Sequence, residues 1–241
     1  MTSIPVSIMA SLGIKHRCYG LMVTLGLALP ALAQASCHLR EGDLLFACSE
    51  TDNAITAVTS GIDRLPIDHV AIVHRIGGDA GQLCVIEAVK PMVSITPIDD
   101  FLSANPLLMV GRVNVDVDVD ESIGRCLLMV GKPYDDIYMP GDSALYCSEL
   151  VQLNYVDHDG ALIFEPVPMS FHDSTGQVID YWKEFYANRG MSVPEGAPGS
   201  NPGELSRRRQ VSIIGTISGG NFHNYLKNTP VGDDNCKKTE N

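Results

Sequence analysis

Cys147 is the residue of this sequence whose position best suits covalent chemistry. It opens the run CSELVQLNYV, in which Leu150, Val151 and Tyr155 follow at i+3, i+4 and i+8, the spacing of a buried helix face. A cysteine on such a face is ordinarily a small packed apolar residue. However, the first turn of a helix has free backbone N–H groups and a positive dipole end, which favour an anion such as a thiolate. The run alone therefore leaves two interpretations of Cys147, a packed core residue or a nucleophile.

A nucleophilic cysteine needs a base that accepts its proton and a third group that orients the base. His69 and His74 lie in the strand-like run DHVAIVH, and because they are five residues apart their side chains point to opposite faces. We predict that His69 faces the cysteine helix and that His74 lies at a solvated hairpin end. Glu87 is the one acid in the buried run VIEAV, where an unpaired carboxylate is costly. A hydrogen bond to an imidazole on the neighbouring strand would remove that cost, although each residue taken alone also suits an ordinary structural role.

The elements that must position these residues are expected to be an antiparallel sheet and a few helices. The runs GDLLF, DHVAIVHRI, LCVIEAV and MVSITPI predict strands, and GGDAG between the second and third indicates a hairpin turn. The run LLMVGRVNVDVDV predicts another strand, with two-residue alternation from Val113 to Val119. A short helix within residues 51–66 and an amphipathic helix around Trp182 complete the prediction. Residues 193–206 are rich in Pro and Gly and predict an irregular surface loop.

Two acidic runs resemble metal sites, but a solvated or helix-capping role is favoured for both. The alternating aspartates of residues 116–120 have the spacing that opens a calcium loop, but Glu121 occupies the position that requires glycine. We expect a solvated strand face, or a capping box in which Asp118 and Glu121 begin a helix that ends near Gly131. Residues 157–159, Asp-His-Asp, are interpreted as a solvated helix end because no second ligand cluster accompanies them. The sequence therefore predicts no metal and no cofactor.

The first 36 residues of the 241-residue chain have the pattern of a secretory signal peptide. Basic residues 15–17 precede an apolar stretch at residues 20–29 and then the small-residue run ALAQAS. The stretch is shorter than the roughly 20 residues that span a membrane, so we expect a periplasmic or secreted protein with no transmembrane segment after cleavage. A lipoprotein acylated on Cys37 is the less favoured alternative, because Gln34 stands where the lipobox is usually aliphatic. The net charge of -12 argues against a nucleic-acid partner.

Residues 37–241 are expected to form a single domain that contains six of the cysteines. An exported protein meets oxidising conditions, so some of these thiols are expected to pair. The pairing is not readable from sequence, and a reactive Cys147 would leave an odd number for disulfides. The other five cysteines are Cys37, Cys48, Cys84, Cys126 and Cys236.

Taken together, these motifs resemble the circularly permuted papain-like cysteine hydrolases, the YiiX/YebB-like branch of the NlpC-type cell-wall peptidase superfamily. The segment GKPYD followed by YCSELVQLNY is similar to the nucleophile half of NlpC-type enzymes. GDLLF, DHVAIVH and VIEAV precede that half here, whereas they follow it in the usual members, so the motif order matches the permuted branch. The resemblance extends from about Gly42 to about Ser206. It implies an α+β, permuted papain-like fold in which an antiparallel sheet packs against the helix that carries the nucleophile.

The resemblance also implies roles for individual residues. It makes Cys147 the nucleophile, His69 the general base and Glu87 the polar residue that orients the base. Tyr134, which matches the Pro-Tyr element before the nucleophile, is implied to help form the oxyanion site with the backbone N–H of Cys147. Glu87 stands where many papain-like enzymes have Asn or His, so the substrate cannot be inferred from papain itself.

The implied activity is hydrolysis of an amide bond in a peptide, an amino-acid conjugate or a peptidoglycan-derived fragment, by acyl transfer through Cys147. Two alternatives stay open from sequence: a lipid-directed thiol acyltransferase or esterase, and a non-catalytic binding protein on the same fold. A substrate carboxylate would suit the three arginines at residues 207–209, although a solvated basic turn is the ordinary interpretation of such a run. An amine would instead suit acidic residues near Asp135.

Overall fold

The structure, a computed structural model, describes residues 38–78, 81–139, 141 and 143–225. The strands are β1 (Leu44–Cys48), β2 (Ile67–Ile76), β3 (Gln82–Val89), β4 (Met92–Pro97), β5 (Leu107–Val113), β6 (Val167–Pro168), β7 (Pro198–Gly199), β8 (Val211–Ser218) and β9 (Asn221–Asn224). The helices are α1 (Ile98–Ala104), α2 (Val119–Leu128), α3 (Cys147–Asn154), α4 (Asp180–Ala187) and α5 (Pro202–Leu205).

Within this part of the chain, seven strands form one sheet in the order β4-β3-β2-β1-β5-β8-β9, and every neighbouring pair is antiparallel. The hairpin predicted from GGDAG is confirmed, because Ile72 lies opposite Ile86 and His74 lies opposite Cys84. Strands β6 and β7 form a separate two-stranded ladder. The predicted antiparallel sheet with few helices is therefore the observed architecture.

The alternation of side chains along the strands produces one apolar cluster on each face of the sheet. Leu44 and Phe46 of β1 belong to the first cluster, together with the buried face of α3. Leu45 of β1 belongs to the second cluster, together with Phe101 of α1. The far end of α3 is held to the start of β1 by Tyr155, whose hydroxyl donates to the carbonyl of Gly42 at 2.8 Å. The helix that begins at Cys147 is thus packed against the sheet at both of its ends.

The strand predicted to run through Val119 ends earlier, so that prediction is wrong beyond residue 113. The alternative interpretation of the aspartate run is the one observed, since Asp118 is the N-cap of α2 and its carboxylate accepts from the N–H of Glu121 at 3.0 Å. A capping hydrogen bond satisfies an N–H that the helix itself leaves unpaired. The N-cap hydrogen bond therefore decides the local structure, because the alternation of apolar and polar residues in an exposed segment favours a strand only weakly.

The prediction of a wholly irregular loop at residues 193–206 is also wrong. This segment contains β7 and α5, and the N-cap of α5, Asn201, accepts hydrogen bonds from two backbone N–H groups of the helix. The segment at residues 51–66 contains turns and a single 3-10 helix, Ile62–Arg64. The amphipathic helix expected around Trp182 is α4.

Four cysteines, Cys48, Cys84, Cys126 and Cys147, are free thiols in the structure. Cys37, Cys236 and the predicted signal peptide lie outside the described residues. Among the residues that are described, no helix is both long and apolar enough to cross a membrane.

Candidate active site

The segment that leads to Cys147 runs along the free edge of β4. Gly131 donates its N–H to the carbonyl of Val93 at 2.9 Å, and Val93 donates to the carbonyl of Lys132 at 2.8 Å. Tyr134 then bridges to Leu145, just before α3 begins. These backbone hydrogen bonds fix the approach of the chain to the first turn of α3, where the cysteine lies.

Cys147 is the first residue of α3 and is 5% exposed. Its side chain packs in the apolar cluster with Leu150 and Val151, as the helical spacing predicts. The imidazole of His69 lies near this thiol, close enough for the cysteine to raise the pKa of the ring. The two interpretations of Cys147 are therefore compatible, because the thiol lies at the margin of the core with one polar partner.

His69 lies between the thiol and a carboxylate. Its Nε2 atom is 2.8 Å from Oε2 of Glu87, on the neighbouring strand β3. The other carboxylate oxygen, Oε1, accepts a hydrogen bond from the hydroxyl of Thr96 on β4 at 2.6 Å. Three adjacent strands thus supply imidazole, carboxylate and hydroxyl in a connected series that begins at the thiol, and Thr96 is a member that the sequence did not reveal.

The electrostatics of this series favour a protonated imidazole. Burial lowers the pKa of His69, but the hydrogen bonds and charges of Cys147 and Glu87 outweigh it and raise the pKa to about 10. Burial would raise the pKa of Glu87, but its bonds to His69 and Thr96 hold that pKa below its ordinary value. The buried carboxylate, which would be costly without a partner, is therefore paired on both oxygens.

His74 does not lie at a solvated end, contrary to the prediction. Its Nδ1 atom is 2.6 Å from Oε1 of Glu41, and its side chain is only 14% exposed. The second oxygen of Glu41 accepts from the N–H of Arg75 at 2.8 Å. The chain therefore has two His-Glu pairs on β2, and only the pair of His69 reaches the cysteine.

Tyr134 lies close enough to Cys147 for the cysteine to contribute to the raised pKa of its phenol. Burial is the main reason that the pKa of Tyr134 is raised far above its ordinary value, so the hydroxyl stays neutral. The phenols of Tyr134 and Tyr138 lie near enough to affect each other's pKa. The structure thus brings Tyr134 near the thiol, while its contribution to an oxyanion site stays a prediction.

Glu149 is a buried acid that sequence reasoning missed. It is 4% exposed, and its Oε2 atom is buried without a hydrogen-bond partner among the described residues. Burial, with a smaller contribution from the charge of Asp135, raises the pKa of Glu149 to about 7. Its position three residues after the N-cap Tyr146 is that of a capping-box acid, which is the signal that would have found it.

A cavity of about 240 Å³ lies beside the cysteine. Tyr146 and Ser148, the residues before and after Cys147, both line it, and so does Trp182 of α4. No sequence pattern indicated this cavity, because its walls come from segments far apart in the chain, between residues 55 and 207.

The three arginines at residues 207–209 do not act together. Arg207 lines the cavity. Arg208 forms an ion pair with Glu204 and donates to the carbonyl of Glu165 at 2.7 Å. Arg209 lies elsewhere, in an open groove with Asp157. Of the three, only Arg207 is placed to meet a molecule in the cavity.

Asp135, considered from sequence as a site for an amine, has a different role in the structure. Its carboxylate accepts three backbone hydrogen bonds, from residues 137, 138 and 139, at 2.8–3.1 Å. Because its oxygens are engaged in this turn, Asp135 shapes the segment that carries Tyr138.

The two acidic runs meet at the surface of the molecule. His158 lies 3.5 Å from Asp116 and 3.3 Å from Asp118, and its side chain is 62% exposed. Across the described residues, no group of three or more His, Cys, Asp or Glu side chains is arranged to hold a metal ion.

In this fold the helix that begins at Cys147 follows the strand of His69 along the chain, which is the order of a permuted papain-like fold. The family model for permuted papain-like amidase enzymes of the YaeF/YiiX, or C92, family matches residues 38–197. The chain belongs to this family, as its motif order predicted. Membership supports a cysteine hydrolase-type activity, that of an amidase or peptidase.

The crystal structure of the metalloprotein YiiX from Escherichia coli O157:H7 is similar to this chain, with a TM-score of 0.57 and 22% sequence identity. The match covers 74% of this chain and 96% of the YiiX chain. At this level of identity the likeness shows the fold. No curated protein matches the chain.

Proposed function

We propose that this protein is an exported cysteine hydrolase that cleaves an amide bond in a peptide, an amino-acid conjugate or a cell-wall fragment. The observation that carries the proposal is the position of His69, whose Nε2 atom lies 2.8 Å from Glu87 and whose ring lies near enough to Cys147 for the cysteine to raise its pKa. A thiol, an imidazole and a carboxylate in this order are the groups that acyl transfer requires. Membership of an amidase family supports the same reaction class.

In the proposed reaction, the sulfur of Cys147 attacks the amide carbonyl carbon as a thiolate while His69 holds the proton. A C–S bond forms and the carbonyl oxygen becomes an oxyanion. His69 then gives its proton to the departing nitrogen, the C–N bond breaks, and an acyl-enzyme remains. A water molecule, deprotonated by His69, attacks the thioester, and breakage of the C–S bond restores the thiol site.

Two other residues have proposed supporting roles in this reaction. Glu87 stabilises the imidazolium and holds its orientation, since it accepts a hydrogen bond from the ring. The N-terminus of α3 supplies the backbone N–H of Cys147 to the oxyanion, because the first N–H groups of a helix have no partner within it. The neutral hydroxyl of Tyr134 is the second proposed donor.

Export is proposed on the basis of the signal-like pattern of residues 1–36, and it would place the enzyme beside peptidoglycan. Expression of the full chain with a C-terminal tag, followed by fractionation of the cells, tests this part. We expect a mature form in the periplasm or the medium that lacks residues 1–36. A full-length form retained in the cytoplasm would contradict it.

The activity is tested by incubating the purified protein with N-acyl amino acids and with muropeptides, and by measuring the released amine. We expect turnover by the wild type and none by Cys147→Ala or His69→Ala. The matched control is His74→Asn, which removes the other His-Glu pair of β2 and is expected to retain turnover. Unchanged turnover in Cys147→Ala would refute the proposed mechanism.

A further inference from the structure

The cavity beside Cys147 has the size and walls for one bulky apolar group. Its volume is about 240 Å³, and a cavity of roughly 150 Å³ holds benzene. Neighbouring rings in the wall pack edge to face, with centroids between 5.3 and 5.6 Å apart. Such walls favour a further ring or a branched side chain. The four aromatic wall residues are Tyr138, Tyr146, Phe171 and Trp182.

The cavity lies beside the first turn of α3, which carries Cys147. Tyr146 and Ser148 flank Cys147 in the chain and both line the cavity. Tyr138, a third wall residue, is close enough to Cys147 for the cysteine to contribute to the raised pKa of its phenol, in addition to the larger effect of burial. A molecule in the cavity is therefore next to the helix turn that carries Cys147.

One cation lines the cavity without a partner. Arg207 is exposed, and its guanidinium makes no ion pair or hydrogen bond with any residue that the structure describes. Its neighbour Arg208 is neutralised by Glu204. In a protein with a net charge of -12, an unpaired cation beside an apolar cavity is complementary to an anion attached to an apolar group.

We propose that this cavity selects an amino acid with an aromatic or large aliphatic side chain, and that Arg207 binds its free α-carboxylate. The inference rests on the proposed function: the selected amino acid is the leaving group of the scissile amide. Water is consumed and the C–N bond breaks; the acyl group takes the oxygen and leaves as a carboxylate, and the amino-acid nitrogen takes both protons and leaves as an ammonium. The substrate class is therefore an N-acylated or C-terminal apolar amino acid.

Trp182 provides a binding assay that does not depend on turnover. It is the single Trp of the chain and lies in the cavity wall, so its fluorescence reports on the cavity. Cys147→Ala is titrated with N-acetylphenylalanine, N-acetylphenylalanine amide, N-acetylglycine and dodecanoate. We expect N-acetylphenylalanine to bind at least about 10-fold more tightly than both N-acetylglycine and the amide, because each lacks one of the two recognised groups.

Substitutions then separate the two parts of the site. Arg207→Gln in the Cys147→Ala background is expected to weaken the binding of N-acetylphenylalanine about 10-fold and to leave the binding of the amide unchanged. Arg209→Gln is the matched control, because Arg209 lies in the other groove, and it is expected to change neither ligand. Val58→Phe, which fills the cavity from a segment outside the catalytic series, is expected to abolish binding of both.

Several results would overturn the inference. Equal binding of the acid and the amide would remove the role of Arg207, and equal binding of N-acetylglycine would remove the role of the cavity. Tighter binding of dodecanoate would assign the cavity to a fatty-acyl chain. Failure of the hydrolase proposal can be told apart from failure of this inference. If the ligands bind as expected but the wild type releases no phenylalanine, the cavity is a binding site and the protein is not an amidase.

Discussion

Replacement of Glu87 by Gln tests the proposed active site most directly. The amide has nearly the shape of the carboxylate and retains polar atoms for His69 and Thr96, but it lacks the negative charge. In the wild type the pKa of His69 is about 10, because the contacts with Cys147 and Glu87 outweigh burial. The substitution removes one of these two contributions and leaves the other.

The size of the effect follows from the 2.8 Å contact between His69 and Glu87, whose side chain is 9% exposed. A hydrogen bond to a charged group contributes about 1.5–3 kcal/mol, which corresponds to roughly a 10- to 150-fold loss of kcat/KM. An opposite charge at this distance shifts a pKa by about 1–3 units. We therefore expect the pKa of His69 to fall, so that the imidazolium is lost at a lower pH.

The assay is the pH dependence of kcat/KM on an amide substrate, together with the rate at which iodoacetamide alkylates Cys147. His69 must hold a proton to protonate the leaving nitrogen, so wild-type activity is expected to persist until the pH approaches 10 and then decline. In Glu87→Gln the decline should begin about 1–3 units lower. Alkylation at pH 6 should be slower by about 10-fold or more, because the imidazolium that stabilises the thiolate is weakened.

Glu41→Gln is the matched control, since Glu41 forms the same kind of pair, at 2.6 Å, with His74, which lies on the same strand as His69. It should leave the pH profile and the alkylation rate unchanged. The reasoning is refuted by a Glu87→Gln enzyme whose high-pH decline coincides with that of the wild type. An equal shift in both variants would refute it as well, because the effect would then not be local to the site.

Three further substitutions test individual contacts. Thr96→Val removes the 2.6 Å hydrogen bond to Glu87 but keeps the charge, so kcat/KM should fall only about 10-fold or less while the high-pH limb moves little. Glu149→Gln tests the linkage between protonation of Glu149 and the free energy of unfolding. Because the pKa of Glu149 is raised to about 7 in the folded protein, its contribution to stability is lost as the pH rises from the unfolded pKa through 7, by about 3 kcal/mol in full. Thermal unfolding should therefore show the wild type losing stability between pH 5 and 8 relative to Glu149→Gln, and parallel curves would contradict this. Asp118→Ala removes the N-cap of α2 and should lower the free energy of unfolding in urea by about 1 kcal/mol with kcat/KM unchanged; no change in the midpoint would show that the cap is not needed.

Local patterns predicted the elements that carry the candidate site. Strands β1 to β4 and helix α3 could be predicted from the sequence, because buried apolar residues recur about every 2 residues in a strand and about every 3.6 residues in a helix. The same rules placed Cys147 at a helix start and Glu87 in a buried strand. The need to pair a buried carboxylate then pointed to an imidazole on the adjacent strand, and His69 is the partner observed.

Other features depended on contacts that no local pattern encodes. The end of β5 was misplaced, since the aspartate run fits both an exposed strand and a helix cap, and the cap of Asp118 decided between them. His74 was misplaced because its partner, Glu41, lies 33 residues away.

The secondary-structure elements and the residue types available for chemistry could be predicted from the sequence, because they depend on neighbours within a few positions. Which of those residues meet, and what space they leave between them, depended on the folding of the whole chain. The cavity beside Cys147 joins segments between residues 55 and 207, and the burial that raises the pKa of Glu149 comes from packing around the helix. Volume and desolvation are properties of the packed chain, so they exist only once distant segments have come together.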